Sequence, residues 1–163
     1  MNIKNVPKKN SFSGLNVLVT GADGFVSSHL CEELLENGAN VTGLIKRNST
    51  GLFKNVDHIK NKIKIKWGDT QDLSLLEEIT RKTDIIYHLA AQSHVGYSIY
   101  NPNETVVNDV ISTLNVLECA RKNDVKRIIH AGSSEIYGNP TYVPIDEKHP
   151  LNPRSPYAAA KAA

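Results

Sequence analysis

Short apolar runs alternate with longer helical patterns along almost the whole chain, and no other feature limits the possible folds as strongly. An apolar run too short for a helix, followed by a 3.6-residue period, reads as strand then helix, and repetition of that pair predicts βαβ units around a parallel sheet. Residues 15–20 form a β-rich run, then come a glycine-punctuated turn and a helix from about Gly24 to Asn37, with Gly38 where a C-cap glycine belongs. Residues 40–45 read as a second strand. Residues 63–67 read as a third, whose alternating lysines predict one solvated face and a place near the sheet edge. Asp72 opens a helix carrying Leu73, Leu76 and Ile79, and residues 84–91 form the most apolar strand. Pro102 then precedes a long helix with Val106, Val107, Val110, Leu114 and Leu117 on one face. A fifth strand is predicted over residues 127–133, a proline-rich loop over 138–153, and a final helix capped by Ser155 with Pro156 as its first residue. The expected fold is a doubly wound α/β sheet of order 3-2-1-4-5.

Composition narrows the function. The 163 residues are 40% hydrophobic and 22% charged, which excludes disorder and a disulfide scaffold and allows one domain with its own core. Nineteen Lys and Arg against 17 Asp and Glu leave a formal charge of +2, with the cations scattered along the sequence, so no nucleic-acid partner is expected. Cys31 and Cys119 both fall in helical patterns, where they read as buried, reduced thiols of a cytoplasmic protein. Neither has metal-ligand spacing, so no metal is expected. No apolar leader or run of eighteen apolar residues occurs, and a membrane partner is not expected either.

Thr20-Gly21-Ala22-Asp23-Gly24-Phe25-Val26-Ser27 joins the first strand to the first helix, the context in which a glycine-rich turn predicts a dinucleotide site. Gly21 permits the tight turn and Gly24 lets the backbone, with the N–H groups of Phe25 and Val26, approach a pyrophosphate at the helix N-terminus. Ser27 stands where the third small residue packs helix on strand. A Rossmann fold that prefers NAD usually has an acidic residue after the second strand, but here the sequence reads Lys46-Arg47-Asn48-Ser49. Arg47, helped by Lys46 and Ser49, suits the 2′-phosphate of NADP, with NAD as the alternative.

Polar clusters follow the fourth and fifth strands: Ala91-Gln92-Ser93-His94 and Ser133-Ser134-Glu135. Tyr157 and Lys161, spaced i, i+4, share one face of the last helix, where an ammonium favours a phenolate able to exchange a proton with a substrate hydroxyl.

Together with the glycine turn these residues carry a resemblance to the extended short-chain dehydrogenase/reductase family, and in particular to its NAD(P)-dependent nucleotide-sugar epimerases and dehydratases. The carriers are the turn from Thr20, Gly68-Asp69, the run from His88 to Val95, Ser133-Ser134-Glu135-Ile136-Tyr137-Gly138, and Pro153-Arg154-Ser155-Pro156-Tyr157 through Lys161. The resemblance implies that Tyr157 takes the proton of the sugar 4-hydroxyl, that Lys161 holds the nicotinamide ribose and lowers the tyrosine pKa, and that Ser133 bonds the sugar oxygen. It places Asp69 and Thr70 at the adenine, Leu89, Ala90 and Ala91 beside the cofactor, and Ser93 and Ser134 near the substrate. Asn108 resembles the family's structural helical asparagine. Glu135 is the carboxylate that a 4,6-dehydratase needs to remove the C5 proton. The surrounding run looks most like the GDP-mannose 4,6-dehydratase branch; 4-epimerases and UDP-glucuronate decarboxylases are the alternatives, and a cofactor-binding fragment without turnover is the alternative of another class. The resemblance also implies a homodimer. The polar, lysine-rich start reads as a flexible extension over residues 1–13 and residues 14–163 as the cofactor-binding Rossmann domain; the resemblance implies a C-terminal substrate region that is absent from this chain, which stops in an active-site helix that has barely begun.

The remaining histidines read as structural: His88 as a satisfied core residue, His29 and His130 as packing or surface positions, and His94 as structural despite its nearness to the site. Trp67 reads as a strand residue covering the core.

Overall fold

In the computed structural model, which describes residues 11–47 and 52–163, five parallel strands form one sheet in the order β3-β2-β1-β4-β5. The strands are β1 (Asn16–Thr20), β2 (Asn40–Ile45), β3 (Lys64–Trp67), β4 (Ile85–His88) and β5 (Arg127–His130). The helices are α1 (Phe25–Glu36), α2 (Leu73–Thr80), α3 (Val95–Tyr100), α4 (Pro102–Val106), α5 (Ser112–Lys122) and α6 (Pro156–Ala162). Strand order and the edge position of β3 are as the sequence predicts. Helix start signals hold as well: Asp72 accepts from the Leu75 N–H at 3.0 Å and Ser155 from the Ala158 N–H at 3.0 Å, while Gly38 ends α1 with φ +86°.

Two apolar clusters sandwich the sheet. Val17, Val19, Cys31, Leu34, Val41 and Ile45 pack beneath α1, and Leu18, Leu44, Leu76, Ile86, Val116 and Cys119 pack beneath α2 and α5. Alternate residues of β1 supply opposite clusters, as a doubly covered parallel sheet requires. Both cysteines are free and buried, and burial pushes the Cys31 thiol up to about 12. Trp67 joins the first cluster and stacks on Phe53, ring centroids 5.1 Å apart. Of residues 11–13, Phe12 packs on this cluster and its N–H donates to Asn37 O at 3.3 Å, so this part of the expected extension is held to the fold. Residues 1–10 lie outside the described residues.

Three predictions at element level need correction. Helix α3 was not foreseen, because only six residues separate its His94 cap from Asn101; His94 Nδ1 accepts from the Tyr97 N–H at 3.0 Å. Strands β4 and β5 stop at His88 and His130, leaving residues 89–91 and 131–133 as loops at the carboxyl end of the sheet. The long helix is interrupted by a π-helical turn, Val107–Ile111, between α4 and α5. That turn shifts the helical phase. Its core side is Thr105, Asp109, Ser112, Val116 and Cys119, while Leu114 and Leu117 of the expected apolar face are 53% and 46% exposed.

Candidate active site

The carboxyl ends of β1 and β4 part the helices at the switch point of the sheet, where such folds bind ligands. A cavity of about 280 Å³ opens there, lined by Gly21, Lys46, Asp69, Thr70, Ala90 and Ala91 among others. Six residues expected to hold the cofactor therefore share one wall. Gly21 has φ +67°, and a Cβ on it would sit 3.0 Å from Ala90 Cα, so only glycine lets the turn close on β4. Helix α1 has no side-chain cap at Gly24 and no acidic residue in its first turn. Its first N–H groups, at Phe25 and Val26, are left for an anion, whereas α2, α3 and α6 are all capped by side chains. These observations fit a dinucleotide.

Asp23 is a residue of the turn whose role the sequence did not disclose. Its carboxylate accepts the backbone N–H groups of Lys54, Asn55 and Val56 at 2.8–3.2 Å, which ties the segment after β2 to the glycine turn. Lys46, expected to stand free for a 2′-phosphate, instead pairs with Asp69 at 3.0 Å. Burial opposes ionisation of Asp69, but the Lys46 ammonium and the Gln71 N–H outweigh it and hold the carboxyl below its ordinary range. Arg47 is exposed beside this pair, while Asn48 and Ser49 lie outside the described residues. If Arg47 alone reads the 2′-phosphate, Arg47→Ala should weaken NADP roughly tenfold or more and leave NAD nearly unchanged, since one charge-assisted contact is worth about 1.5–3 kcal/mol. Isothermal titration with both dinucleotides would show it; equal losses would make Arg47 a solvent residue.

Beneath the cavity a hydrogen-bond chain fixes the strand ends. The Thr20 hydroxyl accepts from the N–H groups of Leu89 and Ala90 at 3.2 and 3.0 Å, so its own proton goes to His88 Nδ1 at 2.8 Å. His88 Nε2–H then donates to Thr113 Oγ1 at 3.1 Å, and Thr113 donates to Asp109 O at 2.6 Å. That network assigns the tautomer, and burial drives the His88 pKa down to about 3. The structural role expected of His88 is thereby explained. His130, half-buried, lies with its ring 5.3 Å from that of His88.

On the far side of β4, Ser133 Oγ accepts the Glu135 N–H at 3.2 Å and caps the 3₁₀ turn Ser134–Tyr137. Glu135 and Ser134 are exposed on that turn and Ser93 is exposed at the end of β4. Gly138 closes the turn with φ +58°, where a Cβ would meet Asn152 O at 2.0 Å. The returning loop is pinned by His149, which accepts the Thr141 N–H at 2.9 Å and donates to Pro150 O at 2.9 Å. Helix α6 packs against the 3₁₀ turn and the π-helical turn. It buries Tyr157 in its first turn and directs Lys161 Nζ to Ala131 O at 3.4 Å. The turn that carries Ser134 and Glu135 and the helix that carries Tyr157 and Lys161 thus pack together beyond the carboxyl end of β5.

Asp109 is the second residue that sequence reasoning missed. Asn108 is exposed, its amide donating to Glu104 O at 2.9 Å, whereas Asp109 is 4% exposed and accepts the Gln92 N–H at 2.6 Å. The π-helical turn makes the exchange, and nothing in the apolar spacing signals it. Burial pushes the Asp109 carboxyl up, offset by the Gln92 N–H, Lys161 and His130, while burial lowers Lys161. Asp109 Oδ2 and Gln92 Oε1 have no hydrogen-bond partner among the described residues. Among those residues there is also no cluster of three His, Cys, Asp or Glu arranged to hold a metal, and no helix long and apolar enough to cross a membrane.

Comparison with known proteins agrees with this architecture. The family profile described as GDP-mannose 4,6 dehydratase matches residues 18–163. The GDP-mannose 4,6 dehydratase 1 of Arabidopsis thaliana is 40% identical over 163 residues, an alignment covering 90% of this chain and 44% of the plant protein. The UDP-glucose 4-epimerase of Mycolicibacterium smegmatis is 37% identical over 153 residues, covering 91% and 49%. Among solved structures, the dTDP-glucose 4,6-dehydratase of Streptomyces venezuelae, bound to NAD and TYD, superposes with a TM-score of 0.83 at 33% identity, covering 91% of this chain and 48% of that one. The chain spans about half the length of the relatives it matches. With a sheet of this order, a glycine turn of this form and a match running from β1 to the last residue, the chain belongs to the nucleotide-sugar epimerase/dehydratase family of short-chain dehydrogenase/reductase type whose profile is described as GDP-mannose 4,6 dehydratase.

Proposed function

We propose that the protein is a dinucleotide-dependent nucleotide-sugar 4,6-dehydratase. The observation that supports this reading is the Ser133-capped turn containing Glu135, which follows β5 and packs as a unit on the helix bearing Tyr157 and Lys161. NAD or NADP, when bound, would supply a hydride acceptor for the sugar C4 and a hydride donor for C6. Gly21, the α1 N-terminus, Asp69, Thr70, Leu89, Ala90 and Ala91 hold it, with Arg47 favouring NADP and Lys46 acting through its pairing with Asp69. Tyr157 takes the proton of the sugar 4-hydroxyl, and Ser133 orients that oxygen. Lys161 binds the nicotinamide ribose and steadies the phenolate charge. Once C4 is a carbonyl, the C5 proton is acidified; Glu135 removes it and passes it to the departing 6-hydroxyl, which leaves as water, and the hydride taken from C4 is then returned to C6 as a proton returns to C5, while Ser134 and Ser93 contact the sugar. The whole enzyme works as a soluble cytoplasmic homodimer.

A 4-epimerase needs Tyr157 and the cofactor but no base at C5, so Glu135 separates the two. Glu135→Gln should lower formation of the 4-keto-6-deoxy product from GDP-mannose by ~10²-fold or more, within the usual range for a general base, while reduction of the bound dinucleotide by the substrate persists. Mass spectrometry of the product and absorbance at the reduced-nicotinamide band read the two steps. Formation of 4-epimers only, from GDP-mannose, dTDP-glucose or UDP-glucose, would establish the epimerase; carbon dioxide release from UDP-glucuronate would establish the decarboxylase. Dinucleotide binding without turnover of any of them would leave a cofactor-binding unit.

A further inference from the structure

The cations that look scattered along the sequence are not scattered in space. β3 and the two residues before it turn Ile63, Ile65 and Trp67 into the cluster beneath α1, while Lys62, Lys64 and Lys66 line a concavity on the other side. That side faces α2, an eight-residue helix, and Arg81 and Lys82 follow directly where α2 ends. All five cations line a concavity of about 570 Å³ whose floor includes Asn16, Asn40 and Thr42 at the starts of β1 and β2. It therefore lies at the opposite end of the parallel strands from the dinucleotide cavity, and the two share no residue.

The charge balance is lopsided. Five of the chain's 19 cations meet one of its 17 carboxylates here, Glu78, which leaves 14 cations against 16 carboxylates for the rest of the chain. Glu78 is engaged by Lys66 at 2.7 Å, and its carboxyl is held below the ordinary range first by that bond and then by the nearby charges of Lys66, Lys64 and Arg81. Among the described residues no carboxylate is within ion-pair distance of Lys62, Lys64, Arg81 or Lys82. Asp84, at the neighbouring start of β4, is already occupied by Lys126 at 2.7 Å and by the Asn16 N–H at 2.9 Å. Like charges gathered in a concave surface with one counter-charge repel one another and raise the local potential, an arrangement that a multivalent anion relieves.

We propose that this concavity is a second ligand site, specific for a small polyphosphate anion: a chain of two or three phosphoryl groups, free or on a nucleotide. Lys64 and Arg81 are its principal contacts, Lys62 and Lys82 its outer ones, and the Thr42 hydroxyl its uncharged donor. The open concavity has room for a tri- or diphosphate, whereas the backbone of an extended nucleic acid would need a groove running past it.

Calorimetric titration of the protein with inorganic tripolyphosphate at about 50 mM salt should give saturable one-to-one binding that weakens as salt is raised. The double variant Lys64→Gln/Arg81→Gln should lose affinity by roughly tenfold or more, because two of the four unpaired charges are gone, while Lys60→Gln/Arg121→Gln should bind as the parent does. Both altered residues of the first variant are exposed, so its thermal midpoint should not fall; should it fail to fold, Lys62→Gln/Lys82→Gln provides the same reading. The proposal is overturned by absence of saturable binding to the parent, by equal affinity in parent and variant, by equal affinity for orthophosphate, or by a twelve-nucleotide single strand that displaces tripolyphosphate at lower concentration. A nucleoside triphosphate competing with tripolyphosphate, with both affected by the variant, would identify the nucleotide as the source of the phosphates.

Discussion

Replacing Tyr157 with phenylalanine should lower turnover of the nucleotide sugar by ~10²–10⁴-fold, the range associated with a positioned general acid or base. Tyr157 is buried in the first turn of α6, on a helix start held by the Ser155 cap and by Pro156. The phenyl ring of the variant keeps that packing and only the phenolic oxygen is lost. A phenol also offers the dinucleotide at most one neutral hydrogen bond, worth about 1 kcal/mol, so cofactor affinity should change by no more than about tenfold. Steady-state product formation and a fluorescence titration with the dinucleotide measure the two effects separately. Unchanged turnover would remove Tyr157 from the chemistry. Collapse of both, with a lowered thermal midpoint, would make it a packing residue. Lys161 gives a second reading: Lys161→Met keeps the stem packed and removes the ammonium, and should weaken dinucleotide binding together with turnover, where Tyr157→Phe lowers turnover alone.

Much of this site can be read from the sequence because its parts sit beside strong local signals. Gly21 follows a strand of five residues and precedes a helix of twelve, so its role follows from context. Ser155-Pro156 is a helix start in almost any setting, and it fixes where Tyr157 and Lys161 fall. Other parts depend on distances that no local rule encodes. Lys46 and Arg47 look alike in sequence, yet a carboxylate 23 residues along, Asp69, takes one and leaves the other. Asp23 reads as a turn residue until residues 54–56 return to it. Asp109 is hidden by the π-helical turn: a straight helix with valines at 106 and 107 on its core face would bury them and expose the carboxylate, and the wider turn reverses that. The lysines of β3 correctly mark an edge strand, but the concavity they line is completed by Arg81 and Lys82 just beyond α2, which no local rule brings to them.

His88 should make the fold acid-sensitive at an unusually high pH. Its Nδ1 accepts the Thr20 hydroxyl proton, and both remaining lone pairs of that hydroxyl are taken by the Leu89 and Ala90 N–H groups. A proton added to Nδ1 would face a group with nothing left to accept it. Burial disfavours the imidazolium first, and the neighbouring His130 and Lys161 disfavour it further, with a folded-state pKa near 3 against an ordinary value of 6.5. Between those values the unfolded chain binds the extra proton and the folded chain does not, so stability is fully present above pH 6.5 and declines as pH falls toward 3. The loss should reach about 2 kcal/mol by pH 5. That window precedes the range in which Asp69, Glu78 and Asp84, all with lowered folded-state pKa values, begin to contribute their own losses. His130 acts in the same direction as His88, since burial and Lys161 lower its pKa. Urea unfolding at pH 7 and pH 5 of the parent, His88→Gln and His130→Gln separates the two, the glutamine amide retaining one donor and one acceptor. His88→Gln should be less stable than the parent at pH 7 and lose about 2 kcal/mol less between the two pH values. An equal loss in parent and His88→Gln would mean that the imidazole finds a partner for its second proton, and that the chain from Thr20 to Asp109 rearranges on protonation.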